Sequence, residues 1–134
     1  MRCVRFELPR VRGQGRPRFA KGHAFKQAAD RLWEEEISNV FLRAGGKPSR
    51  GPVRVFVDVY RMLPKSAPKG VESRADTNKP DVDNVLKSVL DALNGHAYKD
   101  DAQVVEAWCT KHERTRRDGD LMVVSVYQEG DDGV

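Results

Sequence analysis

The feature that most restricts how this chain can fold is the apolar face it carries between Val82 and Leu93. Val82, Val85, Leu86, Val89, Leu90 and Leu93 fall at i, i+3, i+4, i+7, i+8 and i+11, a spacing that an α-helix gathers onto one side. Asp81 stands where a helix N-cap belongs, and Asn94-Gly95 where a helix stops. The polar side is equally regular, with Asp83, Lys87 and Asp91 four residues apart on one face. Lys79-Pro80 leads into this helix and Asp100-Asp101-Ala102-Gln103 follows it. Five aspartates and one helix-borne lysine therefore lie between Lys79 and Gln103, in a chain whose net charge is +4. A basic protein that clusters carboxylates is a candidate for holding a cation, and the remaining positive charge points to phosphate as what the cation works on.

The rest of the chain supplies the partners of that helix. Val4, Phe6 and Leu8 alternate with Arg5 and Glu7, which predicts a half-buried strand ended by Pro9. Residues 10–23, rich in Arg and Gly, read as an irregular or hairpin-like segment. A helix is predicted from about Phe25 to Ala44, with the stripe Phe25, Ala28, Ala29, Leu32, Trp33, Ile37, Val40 and Phe41 and a stop at Gly45-Gly46 and Pro48. Trp33 and Phe41 read as core residues rather than base-stacking platforms. Val53, Val55, Val57 and Val59 alternate with Arg54, Phe56, Asp58 and Tyr60, a second strand.

Residues 62–80 carry Pro64, Pro68, Gly70 and Pro80 with Lys65, Lys69, Arg74 and Lys79 and few large apolar groups. This predicts a long mobile loop, either simply solvated or folding over a nucleic-acid backbone. Two further strands, Ala102 to Lys111 and Leu121 to Gln128, are joined by the charged turn Glu113 to Asp120. The order of strand, helix, strand, loop, helix, strand, strand makes an α/β (α+β) domain with two main helices, and residues 1–134 form a single domain without internal repeats.

No apolar run approaches the roughly eighteen residues of a membrane span, and the N-terminus lacks a signal-peptide segment. A soluble, cytoplasmic protein with no membrane partner is expected. Cys3 and Cys109 have no CxxC partner and fall in predicted strands, so both are expected as buried, reduced thiols. Residues 1–31 hold nine basic side chains against Glu7 and Asp30. Such an imbalance favours a polyanionic partner, although by itself it equally describes a merely basic surface. Zinc spacing, a Walker A loop and GxGxxG are all missing from the sequence, so no small-molecule cofactor is expected. His23, His96 and His112 are scattered and read as surface or structural residues.

Each aspartate has an ordinary structural explanation. Asp81 can cap a helix, Asp83 can pair with Lys87 at i, i+4 for a few tenths of a kcal/mol, and Asp100-Asp101 can begin a strand after a turn. Together, an Asp-x-Asp pair at a helix start and an acidic pair leading into the next strand can converge on one divalent cation. Magnesium prefers carboxylate and water oxygens. Lys87 is placed to offset negative charge developing on a phosphate.

At Lys79-Pro80-Asp81-Val82-Asp83-Asn84, Lys87, Asp91-Ala92-Leu93-Asn94-Gly95 and Asp100-Asp101-Ala102-Gln103-Val104, and again at Gly15-Arg16-Pro17-Arg18, the chain resembles the RusA family of Holliday junction resolvases. The resemblance implies a small mixed sheet in a mixed α/β homodimer that cuts four-way DNA junctions symmetrically, with Mg²⁺ or alternatively Mn²⁺. By motif it implies Asp81, Asp83 and Asp101 as metal-binding acids and Lys87 as the essential lysine, with Asp91 and Asp100 in supporting roles. Some relatives carry a basic residue immediately before the first aspartate, where this chain has Pro80 and places Lys79 one step earlier. Arg16, Arg18, Lys65, Lys69, Arg74 and Lys79 are the candidates for holding the DNA backbone. Two other readings remain: a protein that recognises branched or duplex DNA without turnover, its acids merely capping and solvating a helix, and a metal-dependent nucleotide pyrophosphohydrolase that would also use helix-borne acids.

Overall fold

The computed structural model describes residues 1–15 and 18–130. Its centre is a four-stranded sheet of β1 (Arg2–Leu8), β4 (Val53–Tyr60), β6 (Val104–Lys111) and β8 (Leu121–Gln128), in the order β1-β8-β4-β6. β8 pairs antiparallel with β1 and with β4, whereas β4 and β6 run parallel, so the sheet is mixed. Parallel neighbours cannot be joined by a tight turn and need a crossover. Here the crossover contains α2 (Val82–Leu93), which delivers the chain to a 3₁₀ turn, Asp101–Gln103, at the head of β6. The other long helix is α1 (Ala28–Arg43).

Alternation along the strands decides which face is covered. Val53, Val55, Val57 and Val59 of β4 join Val4, Phe6 and Leu8 of β1 and Met122, Val124 and Val126 of β8. Against this face pack Trp33, Ile37 and Phe41 of α1 and Val85, Val89 and Leu93 of α2. Burial of a side chain such as Ile37 or Phe41 stabilises the fold by roughly 1.5–3 kcal/mol. Trp33 and Phe41 are thus core residues, as their spacing predicts.

The expected stripe of α1 is corrected at its start. Phe25 belongs to a hairpin of β2 (Arg18–Ala20) and β3 (His23–Phe25), in which its backbone pairs with Arg18. Lys21 and Gly22, at φ 51° and 78°, turn that hairpin. Gln27 remains extended, so the helix begins at Ala28. Leu32 faces solvent, because the stripe actually buried is Trp33, Ile37 and Phe41 at strict i, i+4 spacing.

The cysteines are corrected too. Cys3 lies on β1 but is exposed, its side chain directed to the sheet face opposite the helices. Cys109 on β6 is half-buried, and burial, then the nearby Asp58 carboxylate, push its thiol up to about 11. Thiolate is the reactive form, so titration with a thiol reagent at pH 8 should show one fast group, lost in Cys3→Ser, and one at least about tenfold slower.

Residues 62–80 are fastened rather than free. β5 (Ser73–Arg74) pairs with β7 (Arg114–Thr115), which lies inside the expected turn between β6 and β8. Leu63 N donates to Thr115 O (2.8 Å), and Arg116 reaches the carbonyls of Val71 (3.2 Å) and Pro68 (2.6 Å). The buried Asp76 carboxylate faces Arg61 (3.4 Å) and Lys111 (3.7 Å). Those two cations also hold the backbone ahead of α2, with Arg61 on Lys79 O (2.9 Å) and Lys111 on Asn78 O (2.5 Å). The approach to Asp81 is therefore clamped from the end of the sheet.

Candidate active site

One cavity, of about 340 Å³, is lined by Asp83, Leu86, Lys87, Leu90, Asp91, Tyr98, Asp101 and Val104. Its placement follows from the crossover. α2 lays Asp83, Lys87 and Asp91 along one side at one-turn intervals, and the 3₁₀ turn brings Asp101 across from the head of β6. Leu86 and Leu90, expected on the core side, form its apolar wall with Tyr98 and Val104. Val82, at the start of the same stripe, is exposed.

The hydrogen bonds separate aspartates with structural work from those without it. Asp100 caps the 3₁₀ turn by accepting from Ala102 N (2.9 Å), and Gln103 completes the capping box by accepting from Asp100 N (3.2 Å). The Gln103 amide nitrogen also donates to Ser49 O (2.7 Å) and Gly51 O (3.0 Å). This locks the turn that carries Asp101. Asn94 Nδ2 donates to Asp101 Oδ1 (2.8 Å), leaving the other carboxylate oxygen for a ligand.

Asp91 Oδ2 receives Gln14 Nε2 (2.7 Å) and Lys26 Nζ (3.2 Å), and Lys26 also meets Glu34 (2.6 Å). Burial opposes the Lys26 charge, but the hydrogen bonds to Glu34 and Asp91 outweigh it and raise its pKa above the ordinary value. Asp91 thus ties the N-terminal segment to α2.

Asp81, Asp83 and Lys87 have no such work. Asp81 occupies the N-cap position, yet its side chain makes no capping hydrogen bond, and it does not line the cavity. The i, i+4 pair of Asp83 with Lys87 is not formed, and among the described residues neither side chain has an ion-pair or hydrogen-bond partner. All three are exposed. An acid and an ammonium left unpaired one turn apart, beside an oriented Asp101, are available to an incoming group.

Tyr98 reports on the charge of the site. Its hydroxyl donates to Leu90 O (2.6 Å), and its ionisation is pushed far above the ordinary value by burial first, then by the Asp101 and Asp91 carboxylates. Tyr98 is therefore a neutral donor that fixes the cavity wall. Among the described residues no three His, Cys, Asp or Glu side chains converge closely enough to cage a metal on their own. Magnesium does not require such a cage, since it is commonly held by one or two carboxylates with waters and substrate phosphate. Asp83 and Asp101, which both line this cavity, fit that donor set.

Lys65, Lys69, Arg74 and Lys79 are exposed, all on the clamped segment, and none lines the cavity. The backbone of Arg18 lies in β2, and Arg16 falls outside the described residues. Gln103, Asn94, Tyr98, Gln14 and Lys26 are positioning residues that spacing alone does not single out. Asp100-x-x-Gln103 is the exception, as a capping-box signature.

The family model for endodeoxyribonuclease RusA matches residues 9–123, a span that includes the whole cavity. The uncharacterized protein YqaN of Bacillus subtilis (strain 168) is 36% identical over 127 residues, covering 83% of this chain and 88% of the relative.

Proposed function

The chain belongs to the RusA endodeoxyribonuclease family, and from that premise we propose that it resolves four-way DNA junctions by paired, symmetric phosphodiester hydrolysis with Mg²⁺ or Mn²⁺. The observation that carries this reading is the cavity lined by Asp83, Lys87 and Asp101, in which Asp83 and Lys87, one turn apart, have no partner among the described residues. Asp83 and Asp101 would hold the ion, and Asp81 is the third acid of the set by its match to the family motif. When bound, the ion supplies an activated water and neutralises charge on the scissile phosphate.

The protein's own groups do the rest. Lys87 Nζ, which has no partner among the described residues, donates to the phosphate oxygen on which charge develops. Asn94 and Gln103 keep Asp101 in one orientation through the reaction. Leu86, Leu90 and Val104 keep one wall of the cavity apolar, which strengthens these charge interactions relative to bulk water. Lys65, Lys69, Arg74 and Lys79, with Arg16 and Arg18, would hold the DNA arms. A two-fold dimer would present two such cavities, matching two nicks in a two-fold junction. The test is junction cleavage with Mg²⁺ and with EDTA; junction binding without any cut would favour the binding-only reading.

A further inference from the structure

A second cleft shares a wall with the candidate active site. It is lined by Gln14, Gly15, Ala24, Phe25, Lys26, Asp30, Lys87 and Asp91 and has a volume of about 200 Å³. Lys87 and Asp91 belong to both spaces, so only one helical turn of α2 separates them.

Apart from Lys87, which also lines the active-site cavity, the charges in this cleft are already answered. Asp30 is buried and accepts from Arg12 (2.9 Å) and from Gly15 N (3.2 Å). Burial opposes its charge, but those hydrogen bonds prevail and hold its carboxyl below the ordinary value. Lys26 is neutralised by Glu34 and Asp91. Beyond Lys87, which the cleft shares with the active-site cavity, a phosphate would find Lys26 already paired and a carboxylate beside it, so that end of the cleft suits a neutral group. Its size is below the roughly 300 Å³ at which sites for drug-sized ligands begin, which fits one flat ring. The apolar wall is Ala24 with Phe25, which is 40% exposed. An exposed aromatic side chain beside oriented polar groups is how proteins receive an unstacked base. The Gln14 amide nitrogen is committed to Asp91, so its oxygen is what remains to meet a base edge.

We propose that this cleft binds the unpaired base of a nucleotide next to the scissile phosphate, with Phe25 as its stacking surface and Gln14 reading its edge. The inference rests on the endonuclease reading above and adds a substrate subsite to it. A junction offers unpaired bases at its centre at lower cost than a linear duplex, so the subsite would also contribute to selectivity.

The test uses junctions with an abasic site placed in turn at each nucleotide flanking the cut. At one position the abasic site should slow cleavage by at least about fivefold for the wild type, the lower end of what base stacking contributes. Phe25→Ala should lose that dependence and Phe25→Tyr should keep it. In parallel, 2-aminopurine at the same position, bound to Asp83→Asn protein, should be quenched, and the quenching should vanish when Phe25→Ala is added. Cleavage indifferent to every abasic site, or an unchanged dependence in Phe25→Ala, would overturn the subsite while leaving the endonuclease reading intact. Absence of cutting on every junction, intact or abasic, would instead remove the reading beneath it, and unquenched 2-aminopurine would then overturn the subsite separately.

Discussion

Asp83→Asn should abolish junction cleavage, by about 10³-fold or more, while junction binding persists or tightens. The magnitude is that of removing a group which acts on charge developing in the transition state. Asp83 has no structural partner to lose: it is exposed, forms no ion pair with Lys87 and caps nothing among the described residues. Substitution by Asn therefore leaves the fold intact and changes only what the cavity offers a cation. Binding is spared because a negative charge beside DNA phosphates opposes association, and its removal relieves that repulsion. The paired measurement is a gel-shift titration and a single-turnover cleavage assay on the same junction. Equal loss of binding, fold and cleavage would contradict the catalytic role.

The second large effect is expected far from the cavity mouth. Asp76→Asn should destabilise the protein by about 3 kcal/mol and lower its melting temperature by roughly 10 °C. The Asp76 side chain is fully buried between Arg61 and Lys111, themselves mostly buried, and removing its charge leaves those two cations facing each other with only the more exposed Asp120, 3.8 Å from Arg61, as a remaining carboxylate. The lower end of the range for broken buried pairs applies, because contacts of 3.4 and 3.7 Å are long. Cleavage should fall as well, at temperatures where the variant is folded, since the same two cations hold the carbonyls of Asn78 and Lys79 just ahead of Asp81. Pairing Asp76→Asn with Lys111→Met should restore part of the stability. A melting temperature within 2 °C of the wild type, checked by calorimetry at the same pH, would rule out the clamp.

Where structure follows from local period, it could be read in advance. The alternation of Val53 to Tyr60 and the i, i+3, i+4 spacing of Val82 to Leu93 each place β4 and α2 correctly. Periodicity counts apolar residues without knowing what covers them. Phe25 and Leu32 therefore joined a stripe from which a hairpin and solvent remove them, and Cys3 was assigned to the covered face of its strand. The segment 62–80 read as mobile because its anchors, Lys111, Arg114 and Arg116, lie beyond α2 and leave no local pattern. The same holds at the site. Asp83, Lys87 and Asp91 share a face by spacing, and Asp101 joins them through the motif. The assignment of Asp91 to an anchoring network depends on Gln14, 77 residues away. The family motif puts Asp81 and Asp83 in the same metal-binding role, but Asp81 is the extended N-cap ahead of α2 whereas Asp83 lies on the helix, and of the two only Asp83 lines the cavity.

Metal-dependent, junction-specific cutting at this cavity is tested most directly by mapping nicks strand by strand. A four-way junction with each strand labelled in turn, and a linear duplex of the same sequence, are incubated with the protein in Mg²⁺ and in EDTA. Nicks are expected at symmetric positions in two opposed strands, on the junction only and with the metal only. Equal cutting of junction and duplex, or cutting that persists in EDTA, would contradict that expectation.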